Sequence, residues 1–187
     1  MRILIAACAL LALASCHKPA QPAASQNAPV ATEEGGKEID RSHKGQPLPN
    51  VQVTDPDDTT TSLTNFKGVP TLINLWATWC IPCIKELPTL EKLGKEKKAD
   101  LWVVPINQDM APEASVDAFL KLHKLDIPEY RDPKMKVATA LGAEVLPTSI
   151  LFDSNGKEVW RYVGDLDWTS PEAAKLLAEA GGAPKKG

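Results

Sequence analysis

The sequence predicts an α/β domain with a central mixed β-sheet flanked by helices. Two apolar, β-prone runs, residues 71–77 and 101–107, are each followed by a segment in which apolar residues recur at helical spacing. A hairpin signal with Asn155-Gly156 at its tip comes later and is followed by one more helix. Alternating strands and helices favour parallel strand neighbours, and the hairpin adds an antiparallel pair.

Each element has its own signal along the chain. An N-terminal extension contributes an extended stretch at 47–53 and a turn at 55–58, before the first buried strand. The remaining predicted elements are a helix at 81–97, a strand at 101–107, a helix at 112–125, a short helical insertion at 134–143, the hairpin at 148–164 and a helix at 170–180. Ser170 is the predicted N-cap of the last helix, and Pro171 suits its first turn.

Composition limits the class of protein. The 187 residues are 43% hydrophobic and 24% charged, which is enough for one globular domain with flanking segments. The formal net charge is −3, and no basic stripe is present, so nucleic acid is not an expected partner.

The N-terminus has the pattern of a bacterial export signal. Arg2 precedes an apolar run that is too short to span a bilayer comfortably, so residues 1–15 are predicted to be a signal peptide. The tetrapeptide LASC, residues 13–16, resembles the lipobox of bacterial lipoproteins, and that resemblance implies a lipid on Cys16 that anchors the protein to a membrane. The alternative is an ordinary cleavage site near Ala14 and Ser15, which leaves Cys16 free.

Three further segments follow the signal. Residues 16–45 are rich in Ala, Pro, Gln, Ser and Gly and nearly lack large apolar residues, so they are predicted to be a flexible tether. Residues 46–181 form the predicted folded domain, and residues 182–187 form a tail. The expected location is the bacterial cell envelope, with the domain facing the periplasm.

Only two of the four cysteines remain available for chemistry in the exported domain. Cys8 lies within the signal and Cys16 is assigned to the lipid, which leaves Cys80 and Cys83. An exported compartment is oxidising and permits a disulfide between them.

The local sequence favours a redox role for this pair. Cys80 is predicted at a helix N-terminus, where unpaired N–H groups and the helix dipole favour a thiolate. Cys83 is predicted one turn inside, shielded from solvent, as the resolving thiol. Between them, Pro82 stiffens the loop and Ile81 adds no charge. Trp76 and Trp79 are predicted to provide apolar bulk that flanks the exposed sulfur.

The motifs WCIPC (79–83) and VLPTS (145–149) together resemble the thioredoxin superfamily. The resemblance implies a thioredoxin-like fold in which the Leu146-Pro147 peptide is cis and faces the disulfide. It also implies partner contacts at Leu146, whose backbone offers a strand-like edge, and at Thr148 and Trp76. An ordinary trans proline at 147, or a Trp76 that belongs only to the core, is the alternative.

The match extends further, to NLWATWCIPCIKELP (74–88), the helical insertion and VGDLDW (163–168). Over residues 46–181 the chain is similar to the TlpA, ResA and CcmG group of membrane-tethered thiol:disulfide oxidoreductases. This similarity implies reduction of disulfides in exported partner proteins, of the cytochrome c or cytochrome oxidase biogenesis type. Electrons are then expected from a membrane thiol donor.

One departure from thioredoxin itself concerns the proton of Cys83. Thioredoxin has a buried aspartate six residues before its first cysteine, where this chain has Asn74, and Pro105 stands near the position of the usual lysine. Glu86, at i+3 from Cys83, is therefore the predicted general base. The alternative is that Glu86 lies on a solvated helix face.

Three rival functions use the same pair. Copper transfer suits two thiolates, but the three histidines lie in the tether or on a predicted helix, and zinc needs two more ligands. A peroxiredoxin-type peroxidase has a threonine three residues before its cysteine, where this chain has Ala77. A purely structural disulfide closes too small a loop to add much stability. No cofactor or resident metal is expected.

Overall fold

The computed structural model describes residues 38–97 and 99–181. Their core is a seven-stranded sheet in the order β2-β1-β5-β4-β3-β6-β7. The strands are β1 (Gln52–Thr54), β2 (Thr60–Ser62), β3 (Thr71–Trp76), β4 (Trp102–Asn107), β5 (Tyr130–Arg131), β6 (Thr148–Phe152) and β7 (Glu158–Val163). The β3–β4 and β4–β5 pairs are parallel, and the other pairs are antiparallel. The mixed sheet that the sequence predicted is therefore confirmed.

Helices cover both faces of this sheet. They are α1 (Ile81–Lys97), α2 (Glu113–His123), α3 (Lys136–Leu141) and α4 (Pro171–Ala178), with a 3₁₀ helix at Leu63–Phe66. Side chains of α1, α2 and α4 pack in one apolar cluster with Leu72 and Trp76 of β3. Side chains of α3 and of the 3₁₀ helix pack in a second cluster with Ile73 and Leu75. The alternation along β3 therefore directs its even-numbered residues, Asn74 among them, toward α1.

The helices and strands that the sequence predicted are present, but three short elements were not predicted. Ser170 caps α4 as expected, since its hydroxyl accepts a hydrogen bond from the Ala173 N–H. The hairpin turn holds Gly156 at φ +69°, a conformation that favours glycine. The sequence did not predict β2, β5 or the 3₁₀ helix, because elements of two to four residues carry too few side chains to show a period.

The folded region begins before the predicted boundary at Gln46. Asp40 pairs with Arg161 of β7 through reciprocal backbone hydrogen bonds of 2.9 Å, and the Gly45 N–H donates to the Glu158 carbonyl at 2.7 Å. The last residues before Gln46 were predicted to belong to the flexible tether because they contain few apolar side chains. They are instead held to β7 by hydrogen bonds of their backbone groups.

The expected signal peptide, Cys16, most of the tether and the tail lie outside the described residues. Among the described helices, none has the length and apolar character needed to cross a membrane.

Candidate active site

Cys80 and Cys83 form a disulfide at the point where β3 gives way to α1. The β3 strand is buried along its whole length, so the position of its carboxyl end, where the loop to α1 begins, is fixed by the surrounding core. Cys80 directly precedes the first helical residue, and the Cys80 carbonyl accepts the Ile84 N–H at 3.1 Å. The predicted placement of the pair at a helix N-terminus is confirmed.

The two sulfur-bearing residues differ in access. Cys80 is 5% exposed, whereas Cys83 is 0% exposed. The Cys83 N–H points at the Cys80 sulfur, with a nitrogen–sulfur distance of 3.3 Å. In the reduced protein such an N–H stabilises a thiolate on Cys80, together with the dipole of α1. Attack from outside the protein can therefore reach only Cys80 without rearrangement.

The two apolar side chains on either side of Cys80 in the sequence are exposed to solvent. Trp79 is 68% exposed and Ile81 is 73% exposed, while Pro82 is half-buried. The Leu146-Pro147 peptide is cis, as the resemblance implied. Leu146 is half-buried and packs against both apolar clusters.

Two residues assigned to partner contact are buried instead. Trp76 is 1% exposed, and its ring packs against Phe119 of α2 at a centroid distance of 5.9 Å. Thr148 is 2% exposed, and its hydroxyl donates to the Val145 carbonyl at 2.6 Å. Because β3 and β6 are central strands, these side chains are enclosed by the helices and neighbouring strands. In this conformation Trp76 is a core residue, and the Thr148 side chain is not a contact surface.

Glu86 lies one turn after Cys83 on α1 and is only 2% exposed. Asn74 Nδ2 donates to Glu86 Oε1 at 2.7 Å. The Leu166 N–H and the Trp168 Nε1–H both donate to Glu86 Oε2, at 3.1 and 3.0 Å. The alternative of a solvated Glu86 is therefore wrong, since three elements enclose its carboxyl group.

The surroundings of Glu86 change its acidity. Burial raises the pKa of Glu86 from its ordinary value of 4.5 to about 7, because the charged form loses its water shell. The hydrogen bonds from Asn74, Leu166 and Trp168 act in the opposite direction, and the charge of Asp165 adds to the rise. A carboxyl group with this pKa can accept and release a proton near neutral pH.

The loop between β7 and α4 is attached to α1 on both sides of Glu86. The Trp168 backbone N–H donates to Thr89 Oγ1 at 3.2 Å. Lys85 Nζ lies 3.6 Å from Asp165 Oδ2, in an exposed ion pair. This loop therefore fixes the position of the Glu86 carboxyl group relative to the helix that carries Cys83.

A second buried carboxylate holds the loop that precedes Cys80. Asp109 is 4% exposed, and its Oδ2 accepts hydrogen bonds from the Thr78 N–H at 2.9 Å and from Asn107 Nδ2 at 2.8 Å. In return, the Asp109 N–H donates to Asn107 Oδ1 at 3.0 Å. These bonds tie the turn before the disulfide to the carboxyl end of β4.

Sequence reasoning missed Trp168, Leu166 and Asp109 as neighbours of the site. It used Asn74 only as evidence for a missing acid, although Asn74 is a direct partner of Glu86. The only signal in the sequence for the contact between Trp168 and Glu86 is the segment VGDLDW, which is part of the family resemblance. In the described part of the chain, no group of three or more His, Cys, Asp or Glu side chains could hold a metal ion.

Comparison with known proteins agrees with this geometry. The redoxin family, described as Redoxin, matches residues 43–177. The thiol-disulfide oxidoreductase ResA of Bacillus cereus is 34% identical over 122 residues, which cover 65% of this chain and 70% of that protein.

Solved structures show the same fold. A protein from Chlorobium tepidum described as thiol:disulfide interchange protein DsbE aligns with a TM-score of 0.66 at 26% identity, covering 74% of this chain and 98% of that one. The exposed lipoprotein thioredoxin Etrx1 of Streptococcus pneumoniae aligns with a TM-score of 0.61 at 25% identity, covering 70% of this chain and 99% of that one. The chain therefore belongs to the redoxin family, as a thiol-disulfide oxidoreductase of the ResA and CcmG type with a thioredoxin-like fold.

Proposed function

We propose that this protein is a lipid-anchored, periplasm-facing reductase of disulfides in exported proteins. One observation carries the chemistry: a disulfide with one accessible and one enclosed cysteine lies one helical turn from a buried carboxyl group whose pKa is about 7. Three roles follow for three residues. Cys80 is the attacking thiolate, Cys83 is the resolving thiol, and Glu86 is the general base.

In the first step, the Cys80 thiolate attacks one sulfur of the partner's disulfide. A new bond forms between Cys80 Sγ and that sulfur, and the second partner sulfur leaves as a thiolate and takes a proton from solvent. Cys80 suits this step because it is the more exposed cysteine and because the Cys83 N–H and the α1 dipole stabilise its anion.

In the second step, Cys83 releases the partner. The Cys83 thiol gives its proton to the Glu86 carboxylate, and the resulting thiolate attacks Cys80 Sγ. The bond between Cys80 and the partner breaks, the Cys80–Cys83 disulfide forms, and the remaining partner sulfur leaves as a thiolate. Two electrons have then moved from the dithiol to the partner, and a membrane thiol donor returns them.

The residues around Cys80 favour the reductase direction. A strong oxidant such as DsbA owes its high potential to a reduced form that is stabilised by a very acidic thiol. Ile81 and Pro82, between the two cysteines, carry no charge that could add such stabilisation. The helix N-terminus and one N–H therefore remain as the described sources of thiolate stability, and a potential near about −270 mV, typical of thioredoxin, is expected rather than one near about −120 mV.

The proposed location rests on the sequence. The lipobox-like LASC motif ends a short apolar run, and the protein resembles an exposed lipoprotein thioredoxin of S. pneumoniae. We propose that a lipid on Cys16 anchors the chain and that the segment after it lets the domain reach exported proteins, among them those of cytochrome c or cytochrome oxidase assembly. Changing Cys16 to Ser should move the protein from the detergent phase to the aqueous phase. A wild-type protein already in the aqueous phase would contradict the anchor.

The roles of the two cysteines are tested by trapping. With Cys83→Ala, the mixed disulfide has no resolving thiol, so covalent complexes with exported proteins should accumulate. With Cys80→Ala, no such complexes should form. Separation of alkylated extracts on non-reducing gels measures both outcomes. Complexes that accumulate with Cys80→Ala and not with Cys83→Ala would reverse the assignment.

A further inference from the structure

Asn74 has an unusual set of hydrogen bonds. Its side chain is fully buried on β3, and its Nδ2 donates to Glu86 Oε1 at 2.7 Å and to Ser149 Oγ at 2.9 Å. Its other polar atom, Oδ1, is also buried and has no hydrogen-bond partner among the described residues. A buried acceptor without a donor costs free energy and calls for an explanation.

The neighbours of Glu86 suit only its ionised form. Every described polar group that contacts either carboxylate oxygen is an N–H donor, from Asn74, Leu166 or Trp168. When Glu86 takes up a proton, one of its oxygens becomes an O–H donor and needs an acceptor. The backbone and indole N–H groups cannot accept, but the amide of Asn74 has an unused acceptor, Oδ1, on the far side from its donor.

We propose that Asn74 is a positioning residue whose amide turns over when Glu86 is protonated, so that Oδ1 accepts the Glu86 O–H. The inference rests on the proposed role of Glu86 as proton acceptor for Cys83. Only the proton moves, from Cys83 Sγ to a Glu86 oxygen, and no covalent bond of Asn74 changes. The amide nitrogen and oxygen are similar in size, so the exchange requires no repacking of the core.

Ser149 completes the exchange. A hydroxyl group can accept or donate, so Ser149 Oγ accepts from Nδ2 while Glu86 is ionised and donates to Oδ1 after the turn. An aspartate at position 74 would instead place a second carboxyl group against Glu86 and compete for its proton. An amide serves both protonation states, which gives a physical reason for Asn74 at this place.

No other ionisable group described near Glu86 is proposed to accept the hydrogen bond from its protonated form. The ionisable groups that face it are Asp165 of the β7–α4 loop, with its partner Lys85, and Tyr162 of β7. Cys80 and Cys83 are joined in a disulfide and do not titrate in the oxidised protein. Burial raises the pKa of Tyr162 to about 12, so its phenol stays neutral at neutral pH. The strands β3 and β6 contribute no ionisable side chain.

The direct test is nuclear magnetic resonance of the side-chain amides in the oxidised, ¹⁵N-labelled full chain from about pH 5 to about pH 9. Both Asn74 Nδ2 protons should shift with a single midpoint near the pKa of Glu86, because they leave their acceptors on Glu86 and Ser149. Glu86→Gln should abolish the shift. Asn107, whose Nδ2 binds Asp109 rather than Glu86, is the control in the same spectrum. Asn74 signals that stay fixed while Glu86 titrates would overturn the proposal.

A variant gives a second test that does not depend on those signals. Asn74→Leu removes a partner from both forms of Glu86, so the pH midpoint of disulfide exchange should move by less than about half a pH unit. If Asn74 serves the ionised form only, the midpoint should rise by about one unit or more, and the proposal is then wrong. Failure of the proposed function looks different: Glu86→Gln would leave the exchange profile unchanged, whatever the Asn74 signals do.

Discussion

Two glutamates in this protein share a raised pKa but have opposite surroundings. Burial raises the pKa of both Glu86 and Glu129 to about 7. Three N–H donors hold the Glu86 carboxyl group, one turn from Cys83. Glu129 lies just before β5, where the nearby carboxyl group of Asp117 adds to the rise, while Arg131 Nε is 3.7 Å from its Oε1.

The difference shows what a raised pKa can and cannot indicate. A shifted pKa makes a residue a candidate for function, but structural clusters of charge also produce it. Strand β4 separates β5 from β3, so Glu129 is placed away from the strand that leads to the disulfide. Proximity to the sulfur atoms and a set of N–H donors that hold its carboxyl group in place distinguish Glu86, and five variants can test this distinction.

The largest expected effect is on the rate of disulfide exchange. Glu86→Gln removes the proton acceptor for Cys83, so turnover of a model protein disulfide at pH 7 should fall by about 10²- to 10⁴-fold, the usual contribution of general base catalysis. Glu129→Gln is the matched control and should keep wild-type turnover. Equal losses in the two variants would mean that Glu86 acts through stability alone.

The second effect is on stability. The folded-state pKa of Glu86, about 7, lies above its ordinary value of 4.5, so the folded protein binds this proton more tightly than the unfolded chain. The stability that protonation contributes is complete below pH 4.5 and is lost as the pH rises to about 7, an expected fall of about 3 kcal/mol in the free energy of unfolding. Denaturant unfolding of the oxidised protein at several pH values measures it.

Variants separate the contributions to this fall. Glu86→Gln should flatten the decrease between pH 4.5 and about 7. Glu129→Gln should flatten it less, because the Glu129 side chain is 17% exposed and faces Arg131. A wild-type decrease that persists in Glu86→Gln would show that Glu86 is not the group that titrates.

The third effect isolates one hydrogen bond to Glu86. Trp168→Phe removes a group that can only donate, so the carboxylate is less stabilised and the pH midpoint of exchange should rise by about one unit. Trp160→Phe is the matched control, because Trp160 is equally enclosed but its Nε1–H donates to the Leu176 carbonyl. An equal shift in both variants would assign the effect to packing.

The smallest effect concerns the attachment of the β7–α4 loop. Thr89→Ala removes the acceptor of the Trp168 N–H and should lower the free energy of unfolding by about 1 kcal/mol. The pH midpoint of exchange should not move, since Thr89 does not bind the Glu86 carboxyl group. A shifted midpoint would mean that the loop, rather than its individual donors, sets the acidity of Glu86.

The sequence predicted the long elements and the chemical pair, for physical reasons. The apolar run of β3 and the helical spacing of α1 each extend over enough residues to show their period, and the Cys-x-x-Cys spacing is local. The burial of Glu86 was less accessible to sequence reasoning. It depends on Trp168, which is 82 positions away, and on Asn74 of a different element.

Partner contacts were the weakest sequence assignments. The sequence alone does not show whether a tryptophan near a motif packs into the core or faces solvent. The strand alternation of β3 places Trp76 in the core, whereas Trp79, in the following loop, is 68% exposed. The hydrogen bond that the Thr78 N–H, in the loop before Cys80, donates to Asp109 joins residues that follow two different strands, and only the pairing of β3 with β4 brings them together.

The central claim, that Glu86 takes the proton of Cys83, is tested most directly by single-turnover kinetics of the resolving step. A mixed disulfide between Cys80 and a chromogenic thiol is formed, and release of that thiol is followed at a series of pH values. The rate in the wild-type protein should rise with pH and level off above a midpoint near 7, where Glu86 becomes ionised. In Glu86→Gln this midpoint should disappear and release should be slower. The same midpoint and plateau in both proteins would contradict the claim.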